Sequence, residues 1–237
     1  MKLSLIVTYR QRETHLKAQI DWWKQRVYRD VEVIIVEADE QASSWIEPAI
    51  ATTKIKYTFL PCNGVFHKTK ALNLGLSLVQ GEFIAPFDVD LLPLGNTLLQ
   101  HLQIAQLAPQ LLVTGYRIMS KTEEPIDISA CSIAPEDMPT ALWKQLVNGE
   151  RFGVVPYFNR DRLLKIGGWD EQFIGWGGED QDIVERYLQT GYHLCRCPEL
   201  VYLHLPHPPN QLWTETSLIE QNRKYYYANL QLRRKSK

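Results

Sequence analysis

Short apolar runs alternate with segments of helical apolar spacing over the first 115 residues. The runs predict strands at 3–8, 31–36, 54–60, 83–87 and 111–114, and the segments between them predict helices at 12–28, 43–50, 68–79 and 94–107. Because apolar strands that alternate with helices pair beneath helical layers, this order predicts an α/β fold with a mixed, mostly parallel central sheet. Ligands of such sheets bind beyond the carboxyl ends of the strands.

The pattern changes after residue 115. Residues 120–140 contain three prolines and several acids, and we interpret them as a lid over the site or, equally, a plain surface excursion. Farther along, the pattern predicts a strand at 154–158, a short helix from Asn159, a glycine-rich turn, a helix at 179–190, two short strands and a closing helix at 211–232.

These elements predict a single domain of two halves. Residues 1–115 are expected to form one half, and residues 151–210 the other. Residues 116–150 form the loop or lid region between them, and residues 211–237 form the C-terminal helix and a basic tail. A length of 237 residues is sufficient for one large buried core.

Composition and charge exclude several classes of protein. Hydrophobic residues make up 45% and charged residues 22%, which excludes a disordered chain. No run approaches the roughly 20 apolar residues of a membrane span. Neither a secretory signal nor a disulfide framework is evident, so we expect a cytoplasmic protein.

Charge is concentrated at the C-terminus. Residues 223–237 carry six basic side chains and no acid, which leaves a net charge of −7 on the rest of the chain. An acidic body argues against a nucleic-acid-binding protein. The tail offers a weak contact with the inner membrane surface or an acceptor, and a solvated terminus is the alternative.

The first chemical candidate is the pair Asp88 and Asp90, directly after the predicted strand 83–87. Side chains two residues apart at a strand end point the same way, and two adjacent carboxylates repel unless a cation or a proton lies between them. A divalent cation that also binds a diphosphate is one solution, because hard cations take carboxylate and phosphate oxygens together. An exposed acidic turn is the alternative.

The second candidate is the glycine-rich segment that runs from Gly175 to Asp182. Its glycines, Gly177 and Gly178 among them, let the backbone approach a ligand closely, and Trp176 offers an apolar plate for a sugar ring. Glu179 and Asp180 begin a helix, whose dipole favours ionised carboxylates of the kind that a general base needs. An acidic N-cap alone would explain these acids but not Trp176.

A histidine at the end of a late strand is the third candidate. His204 follows the apolar run 200–203, and a proline-rich segment stops the strand behind it. An imidazole there could complete a metal site with Asp90, and such an oxygen and nitrogen ligand mix suits manganese. His207 is the second choice, because the strand end fixes the direction of His204.

Together these motifs resemble those of the β-1,4-galactosyltransferases, and they are also similar to the catalytic halves of bacterial chondroitin-type polymerases and polypeptide N-acetylgalactosaminyltransferases. The resemblance rests on Asp88-Val89-Asp90-Leu91-Leu92-Pro93, Gly175-Trp176-Gly177-Gly178-Glu179-Asp180-x-Asp182 and the strand-end histidine. It begins at Val7-Thr8-Tyr9-Arg10-Gln11-Arg12-Glu13-Thr14-His15-Leu16-Lys17 and continues through Lys68-x-Lys70-Ala71-Leu72-Asn73-Leu74-Gly75 and Phe152-Gly153 to Pro208. It implies the GT-A fold of family 2-type glycosyltransferases, with residues 1–115 as the nucleotide-sugar-binding half and residues 151–210 as the acceptor-binding and catalytic half. It also implies a UDP-sugar donor and Mn²⁺ or Mg²⁺ as the cofactor.

The resemblance also implies a role for each candidate. Trp176, Gly177, Gly178 and Glu179 would bind the donor sugar and the acceptor, and Asp180 would be the catalytic base. Asp90 and His204 would bind the metal. The nucleotide-binding residues would be Thr8, Arg10, Glu37, Asp39, Lys68 and Asp88, with Asp39 the weaker of the two acids after the second strand.

Two positions depart from the family pattern. Gln181 stands where galactosyltransferases carry a third acid, so their acceptor recognition is not transferred. Val201 stands where the family has a sulfur ligand three residues before the histidine, so the metal preference stays open. The acceptor could be a carbohydrate, a lipid-linked sugar or a peptide.

The sequence predicts a metal-dependent inverting transferase that moves a hexose or N-acetylhexosamine from a UDP-sugar, as in polysaccharide biosynthesis. A nucleotidyltransferase uses a similar sheet and acidic pair but has no need for Trp176 between glycines. A catalytically degenerate sugar-nucleotide-binding subunit is the non-enzymatic alternative, since a fold alone does not prove activity. A phosphatase would carry its first aspartate on the first strand, whereas Asp88 follows the fourth.

Overall fold

The computed structural model describes residues 1–26, 28–119, 154–205 and 216–235, and the predicted lid at 120–140 lies outside them. Eight strands are present among these residues: β1 (Leu3–Tyr9), β2 (Val31–Asp39), β3 (Lys56–Pro61), β4 (Phe83–Asp88), β5 (Leu91–Pro93), β6 (Leu111–Met119), β7 (Val154–Asn159) and β8 (His193–His204). The helices are α1 (Glu13–Lys24), α2 (Ile46–Ile50), α3 (Lys68–Leu78), α4 (Thr97–Leu107), α5 (Arg160–Lys165), α6 (Glu179–Leu188) and α7 (Thr216–Lys235).

The strands form one sheet in the order β3-β2-β1-β4-β7-β6-β8-β5. β3, β2, β1 and β4 are parallel, as are β6 and β8, whereas β7 runs antiparallel to both of its neighbours and β5 antiparallel to β8. The predicted mixed, mostly parallel sheet is therefore confirmed. Short antiparallel strands join the two predicted halves into one continuous sheet.

Helices cover the sheet on both faces. Successive side chains of a strand point to opposite sides of the sheet, so each face has its own buried cluster. Leu5 and Val7 of β1 belong to one buried cluster, which also contains Leu16 of α1 and Leu98 of α4. Ile6, between them, belongs to a second cluster on the opposite face, together with residues of α3 and α6. The continuous apolar runs that predicted strands in the sequence reflect this burial on two sides.

Two strands, β5 in the first half and β8 in the second, differ from their predictions. β8 is one strand of 12 residues, where two short strands were expected, and the three-residue β5 was not predicted. Pairing of β8 with β6 shifts register after Arg196, where Pro198 lacks the N–H that a regular ladder requires. This irregularity lets the chain continue as one strand, although the sequence indicates a break.

A buried polar network fixes β8 beside α4 and β7. The Tyr202 hydroxyl lies 2.8 Å from His101 Nδ1 and 3.0 Å from the Tyr157 hydroxyl, and His101 Nε2 donates to the Val113 carbonyl at 3.1 Å. Burial lowers the pKa of His101 to about 3, so its ring is neutral at physiological pH. The network sets the position of Tyr202, two residues before His204.

Among the described residues, no helix combines the length and the apolar character that crossing a bilayer requires.

We expect Gly75→Ala to lower the free energy of unfolding by about 2 kcal/mol. A methyl group at Gly75 would lie 2.3 Å from Ile6 Cγ2 and 3.2 Å from Val36 Cγ2. Overpacking typically costs about 1–3 kcal/mol, and an approach of 2.3 Å belongs at the upper end of this range. Subtracting the gain of about 1 kcal/mol in helix propensity leaves a net loss of about 2 kcal/mol. Urea denaturation measures the change. Lys70→Ala, on the exposed side of α3, is the matched control. A Gly75→Ala protein as stable as the wild type would contradict the close packing of Gly75 against Ile6 and Val36.

Candidate active site

Six of the predicted site residues lie together near the carboxyl ends of β4 and β8: Lys68, Asp88, Asp90, Glu179, Asp180 and His204. β4 ends at Asp88, which pairs in register with Thr8 of β1, and Asp90 follows two residues later. The antiparallel pairing of β5 with β8 places Leu91 opposite His204, so Asp90 and His204 become neighbours. The helices α3 and α6 begin here with Lys68 and Glu179.

Lys68 is the centre of this group. Its Nζ lies 3.4 Å from Asp88 Oδ1, 3.5 Å from Glu179 Oε1 and 3.4 Å from Asp180 Oδ1. Burial alone would lower the pKa of Lys68, but the negative charges of Asp180, Asp88 and Glu179 outweigh it and raise the pKa above its ordinary value. One permanently charged ammonium group therefore joins three carboxyl groups from two elements.

Asp88 lies between two cations. Its Oδ2 accepts a hydrogen bond from Arg117 Nη1 at 2.8 Å, and its Oδ1 faces Lys68. Burial alone would raise the pKa of Asp88, but Lys68 and Arg117 outweigh it and hold the pKa well below its usual range. A cleft at this point is lined by Asp88, Asp180 and both cations.

Arg117 was missed in the sequence because the predicted strand ended at residue 114. β6 continues to Met119, which carries Arg117 along the sheet to Asp88. The apolar run in β6 ends before this basic residue, so hydrophobic pattern alone gave no reason to extend the strand.

Glu179 and Asp180 are adjacent in sequence but lie in different environments. The side chain of Glu179 is 4% exposed, whereas that of Asp180 is 36% exposed toward the cleft. Burial and the charge of Asp180 raise the pKa of Glu179 to about 7, although Lys68 and a hydrogen bond from the Gly177 N–H oppose the shift. The two carboxyl groups are thereby suited to different tasks: one holds a proton near neutrality, and the other is open to a ligand.

Asp90 and His204 form the predicted metal-ligand pair. His204 Nε2 lies 3.3 Å from Asp90 Oδ1, and Nδ1 lies 3.0 Å from the Leu205 carbonyl oxygen. Because a carbonyl only accepts hydrogen bonds, Nδ1 carries a proton and Nε2 faces a carboxylate. That arrangement requires either a second proton on the ring or a cation shared by the two groups.

The fit of a divalent cation can be judged from these atoms. Two adjacent ligands around an octahedral cation with bonds of about 2.1 Å lie about 3 Å apart, close to the observed 3.3 Å. Val201, at the position of the family's sulfur ligand, is buried and contributes no donor atom from its side chain. In the part of the chain that the structure describes, no group of three or more His, Cys, Asp or Glu side chains is arranged to hold a metal ion. Two protein ligands plus substrate phosphates would suit Mg²⁺ or Mn²⁺.

Arg12 is a second site residue that sequence reasoning missed. Its guanidinium contacts Asp90 Oδ2, the carboxylate oxygen that does not face His204. Arg12 lies between β1 and α1 in the segment Val7–Lys17 that carries the family resemblance, and this segment was the available signal. Gln19 of α1 also supports the turn after β4, because its amide donates to the carbonyls of Asp88 and Leu91 at 3.1 and 2.9 Å.

Trp176 lies in a loop of residues 174–178, here called the acceptor loop after the role that the sequence resemblance predicts for it. Its side chain is 58% exposed, and Gly175, Gly177 and Gly178 on either side have φ of 74°, 104° and 92°. Only glycine adopts such values readily, which explains why glycines surround the tryptophan. Gly178 ends the loop directly before Glu179, so the acceptor loop leads into the acidic start of α6.

The remaining nucleotide-site candidates lie at the ends of β1 and β2. Arg10 donates to the Gly64 carbonyl at 2.6 Å and lies 3.4 Å from Asp39 Oδ1, which also accepts from Gln11 and the Glu40 N–H. Glu37 is 1% exposed, and its two oxygens accept hydrogen bonds from Ser43 and Tyr57. The structure thus brings Arg10 and Asp39 together. Glu37 is buried and supports residues 40–43 through its hydrogen bonds with Ser43.

The model described as glycosyl transferase family 2 matches residues 4–167, and the model described as the N-terminal domain of galactosyltransferase matches residues 142–208. The second match contains the acceptor loop and Asp180. Between them, the two models cover almost all of the described residues up to the end of β8.

Curated relatives are similar at low identity. Human chondroitin sulfate N-acetylgalactosaminyltransferase 1 is 24% identical over 166 residues, which are 64% of this chain and 29% of the relative. Human β-1,4-galactosyltransferase 3 is 29% identical over 147 residues, 59% of this chain and 30% of the relative. This chain thus spans about a third of the length of these relatives.

Solved structures confirm the GT-A fold that the sequence resemblance implied. Staphylococcus aureus TarS, residues 1–349 in complex with UDP-GlcNAc, superposes with a TM-score of 0.65 at 12% identity, over 90% of this chain and 61% of that one. The mannosyltransferase PcManGT of Pyrobaculum calidifontis, in complex with GDP-Man and Mn²⁺, superposes with a TM-score of 0.61 at 17% identity, over 89% and 58%. With the family model matched over most of its length, the chain belongs to glycosyl transferase family 2.

Proposed function

We propose that this protein transfers a hexose or an N-acetylhexosamine from a UDP-sugar to an acceptor hydroxyl, with inversion at the anomeric carbon. The observation that carries the proposal is the convergence of Asp88, Lys68 and Asp180 in one cleft, beside the Asp90–His204 pair. Solved complexes with UDP-GlcNAc and with GDP-Man and Mn²⁺ support a nucleotide-sugar donor. The names of the relatives favour a galactose or N-acetylgalactosamine donor.

The donor nucleotide would lie along the ends of β1, β2 and β4. Arg10 fixes Asp39 Oδ1, so the other oxygen of Asp39 can accept from a ribose hydroxyl beside Thr8. Glu37, whose oxygens already accept from Ser43 and Tyr57, would act by holding this region in shape. Lys68 and Arg117 present the positive charge that a leaving diphosphate requires.

Asp90 and His204 would hold the divalent cation, for which their donor atoms and spacing are suited. When bound, such a cation stabilises the negative charge that develops on the leaving diphosphate. Arg12 orients Asp90 by its contact with the second carboxylate oxygen, which leaves the first oxygen directed at His204.

Asp180 would be the general base. It is the more exposed of the two acids at the start of α6, and its Oδ1 lies 3.4 Å from Lys68 Nζ, which holds the carboxylate toward the cleft. The proton of the acceptor hydroxyl passes to Asp180 as the acceptor oxygen bonds to the anomeric carbon. The bond from that carbon to the diphosphate breaks on the opposite face, and UDP leaves with the bonding electrons.

Glu179 would contact the donor sugar as a hydrogen-bond donor. A carboxyl group whose pKa is raised to about 7 keeps its proton for much of the time at neutral pH and can offer it to a sugar hydroxyl.

The acceptor, whether a carbohydrate, a lipid-linked sugar or a peptide, would rest on Trp176. A cytoplasmic location, expected from the sequence, remains part of this proposal.

We expect Asp180→Asn to lower turnover by about 10²- to 10⁴-fold, because a general base contributes a factor of this size. Affinity for UDP with Mn²⁺ should stay within threefold of the wild type. The measurement is UDP release from UDP-galactose, UDP-N-acetylgalactosamine, UDP-N-acetylglucosamine and UDP-glucuronic acid. Asp161→Asn, an exposed acid of α5, is the control. Joint loss of turnover and UDP binding would indicate misfolding and contradict the assignment.

Asp90→Asn should abolish most of the gain in UDP affinity that Mn²⁺ provides, by tenfold or more in calorimetric titration. The substitution keeps the shape of the side chain but removes the charge that attracts the cation. Asp21→Asn, an exposed acid of α1, should retain the full Mn²⁺ effect. An equal Mn²⁺ effect in the Asp90→Asn protein would place the cation elsewhere.

Glu179→Gln should make the protein more stable at pH 8 and leave it nearly unchanged at pH 5. Below pH 4.5 the carboxyl is protonated in both the folded and the unfolded chain. As the pH rises to about 7, only the unfolded chain releases the proton, so stability falls by about 3 kcal/mol at most, and glutamine removes this loss.

Urea denaturation at the two pH values measures the effect of Glu179→Gln. Glu199→Gln, an exposed glutamate of β8, is the control. Equal destabilisation of Glu179→Gln at both pH values would show that Glu179 is ionised in the folded protein across this range.

A further inference from the structure

We propose that Asn222 of α7 is a positioning residue, which fixes the acceptor loop and thereby the direction of Trp176. This inference rests on the proposed function for its purpose, since that function assigns Trp176 to the acceptor. It concerns the C-terminal helix, for which the sequence motifs indicated no part in the site.

The acceptor loop needs support from outside itself. Its three glycines at positive φ have more conformational freedom in the unfolded chain than other residues, so ordering them costs more entropy. Trp176 is 58% exposed and contributes little packing to the loop. Toward the segment before α3, the loop backbone has one described hydrogen bond, which the Gly175 N–H donates to the Phe66 carbonyl at 3.2 Å.

Asn222 supplies a support from the other side. Its side-chain amide donates to the Ile174 carbonyl at 2.8 Å and to the Trp176 carbonyl at 3.1 Å. Both hydrogens of one NH₂ group are used, so the two carbonyls on either side of Gly175 are held at a fixed separation. Asn222 is 4% exposed, and loss of either bond would leave a buried polar group unsatisfied.

The same helix packs closely against the loop glycines. A Cβ at Gly175 would lie 3.7 Å from Leu218 Cδ1, and one at Gly177 would lie 4.0 Å from Ile219 Cγ2. These are ordinary contact distances, so the first turns of α7 lie directly against the loop backbone. Apolar contacts and the Asn222 amide therefore act on the same three-residue stretch around Trp176.

Further along, α7 is anchored to the base of the loop and to α6. The Tyr225 hydroxyl donates to Asp170 Oδ2 at 2.8 Å, and its ring lies edge-on to Phe173 at 5.1 Å. Arg233 contacts Asp182, which also accepts from Arg186 at 2.7 Å. Asp182 is 1% exposed and two residues beyond Asp180, so these contacts place α7 relative to the catalytic base.

The helices α3 and α7 thus hold opposite ends of the segment from Trp169 to Trp176. α3 holds its beginning, because Asn73 exchanges hydrogen bonds with the backbone of Trp169 at 2.8 and 2.9 Å and Thr69 donates to the Phe173 carbonyl at 3.1 Å. α7 holds the part that carries Trp176. The asparagine of the Lys68–Asn73 motif and Asn222 therefore perform the same task from two sides.

Asn222→Asp tests this role with an isosteric side chain that has no amide hydrogens. The substituted carboxylate would face the Ile174 and Trp176 carbonyl oxygens and repel both. Incorporation of 5-fluorotryptophan allows ¹⁹F NMR of all seven tryptophans, and the Trp176 signal is identified by its loss in Trp176→Phe. We expect the Trp176 signal to shift or broaden in Asn222→Asp while the other six signals keep their positions.

Hydrogen exchange provides a second readout on the same protein. Backbone amides of residues 174–178 should exchange at least tenfold faster in Asn222→Asp than in the wild type. Gln221→Ala, an exposed neighbour on α7, is the matched control and should match the wild type in both measurements. Asn222→Ala, which removes the donors without adding charge, replaces Asn222→Asp if the latter fails to fold.

An unchanged Trp176 signal and unchanged exchange in a folded Asn222 variant would overturn the positioning role. Uniform changes at all tryptophans would also overturn it, since they would show a general effect on stability. Failure of the proposed function has a different signature: the wild type would bind no UDP with Mn²⁺, whatever the state of Trp176.

Discussion

The ion contacts of Lys68 are the constraint on which the site depends. Without this ammonium group, Asp88, Glu179 and Asp180 would confront one another across a partly buried cleft, and like charges that close destabilise a fold. The lysine links the end of β4 to the start of α6, the two elements that carry these acids. The same charge that holds the structure together is the one that a diphosphate would meet.

The positive and negative charges of this cluster nearly balance, which favours some ligands over others. Three cations, Arg12, Lys68 and Arg117, contact three aspartates and a glutamate whose raised pKa lets it hold a proton. Among the described residues, the cluster is thus close to neutral at physiological pH. A diphosphate and a divalent cation that arrive together disturb this balance little, whereas either one alone changes it strongly. The proposed joint requirement for UDP and metal follows from this.

The sheet order determines which groups can meet. β5 and β8 are antiparallel, and their register brings His204 beside Asp90, although more than 100 residues separate them in the chain. β6 lies between β7 and β8, and its length places Arg117 at Asp88. The helices α3 and α7 then hold the acceptor loop from two sides, so Trp176 has a defined direction although its side chain is exposed. Each functional group is therefore placed by an element that packs in the core.

The sequence by itself determined most elements of the first half, the mixed sheet, the family and the residues of the acidic motifs, because burial on two faces and strand-end chemistry leave local patterns. Only the tertiary structure decided that Arg12 and Arg117 contact the two aspartates and that the two oxygens of Glu37 accept hydrogen bonds from Ser43 and Tyr57. It also decided the part of Asn222, a polar residue in a polar helix with nothing local to distinguish it. These partners lie far apart in the chain, and their proximity depends on strand order, register and burial, which no short segment encodes.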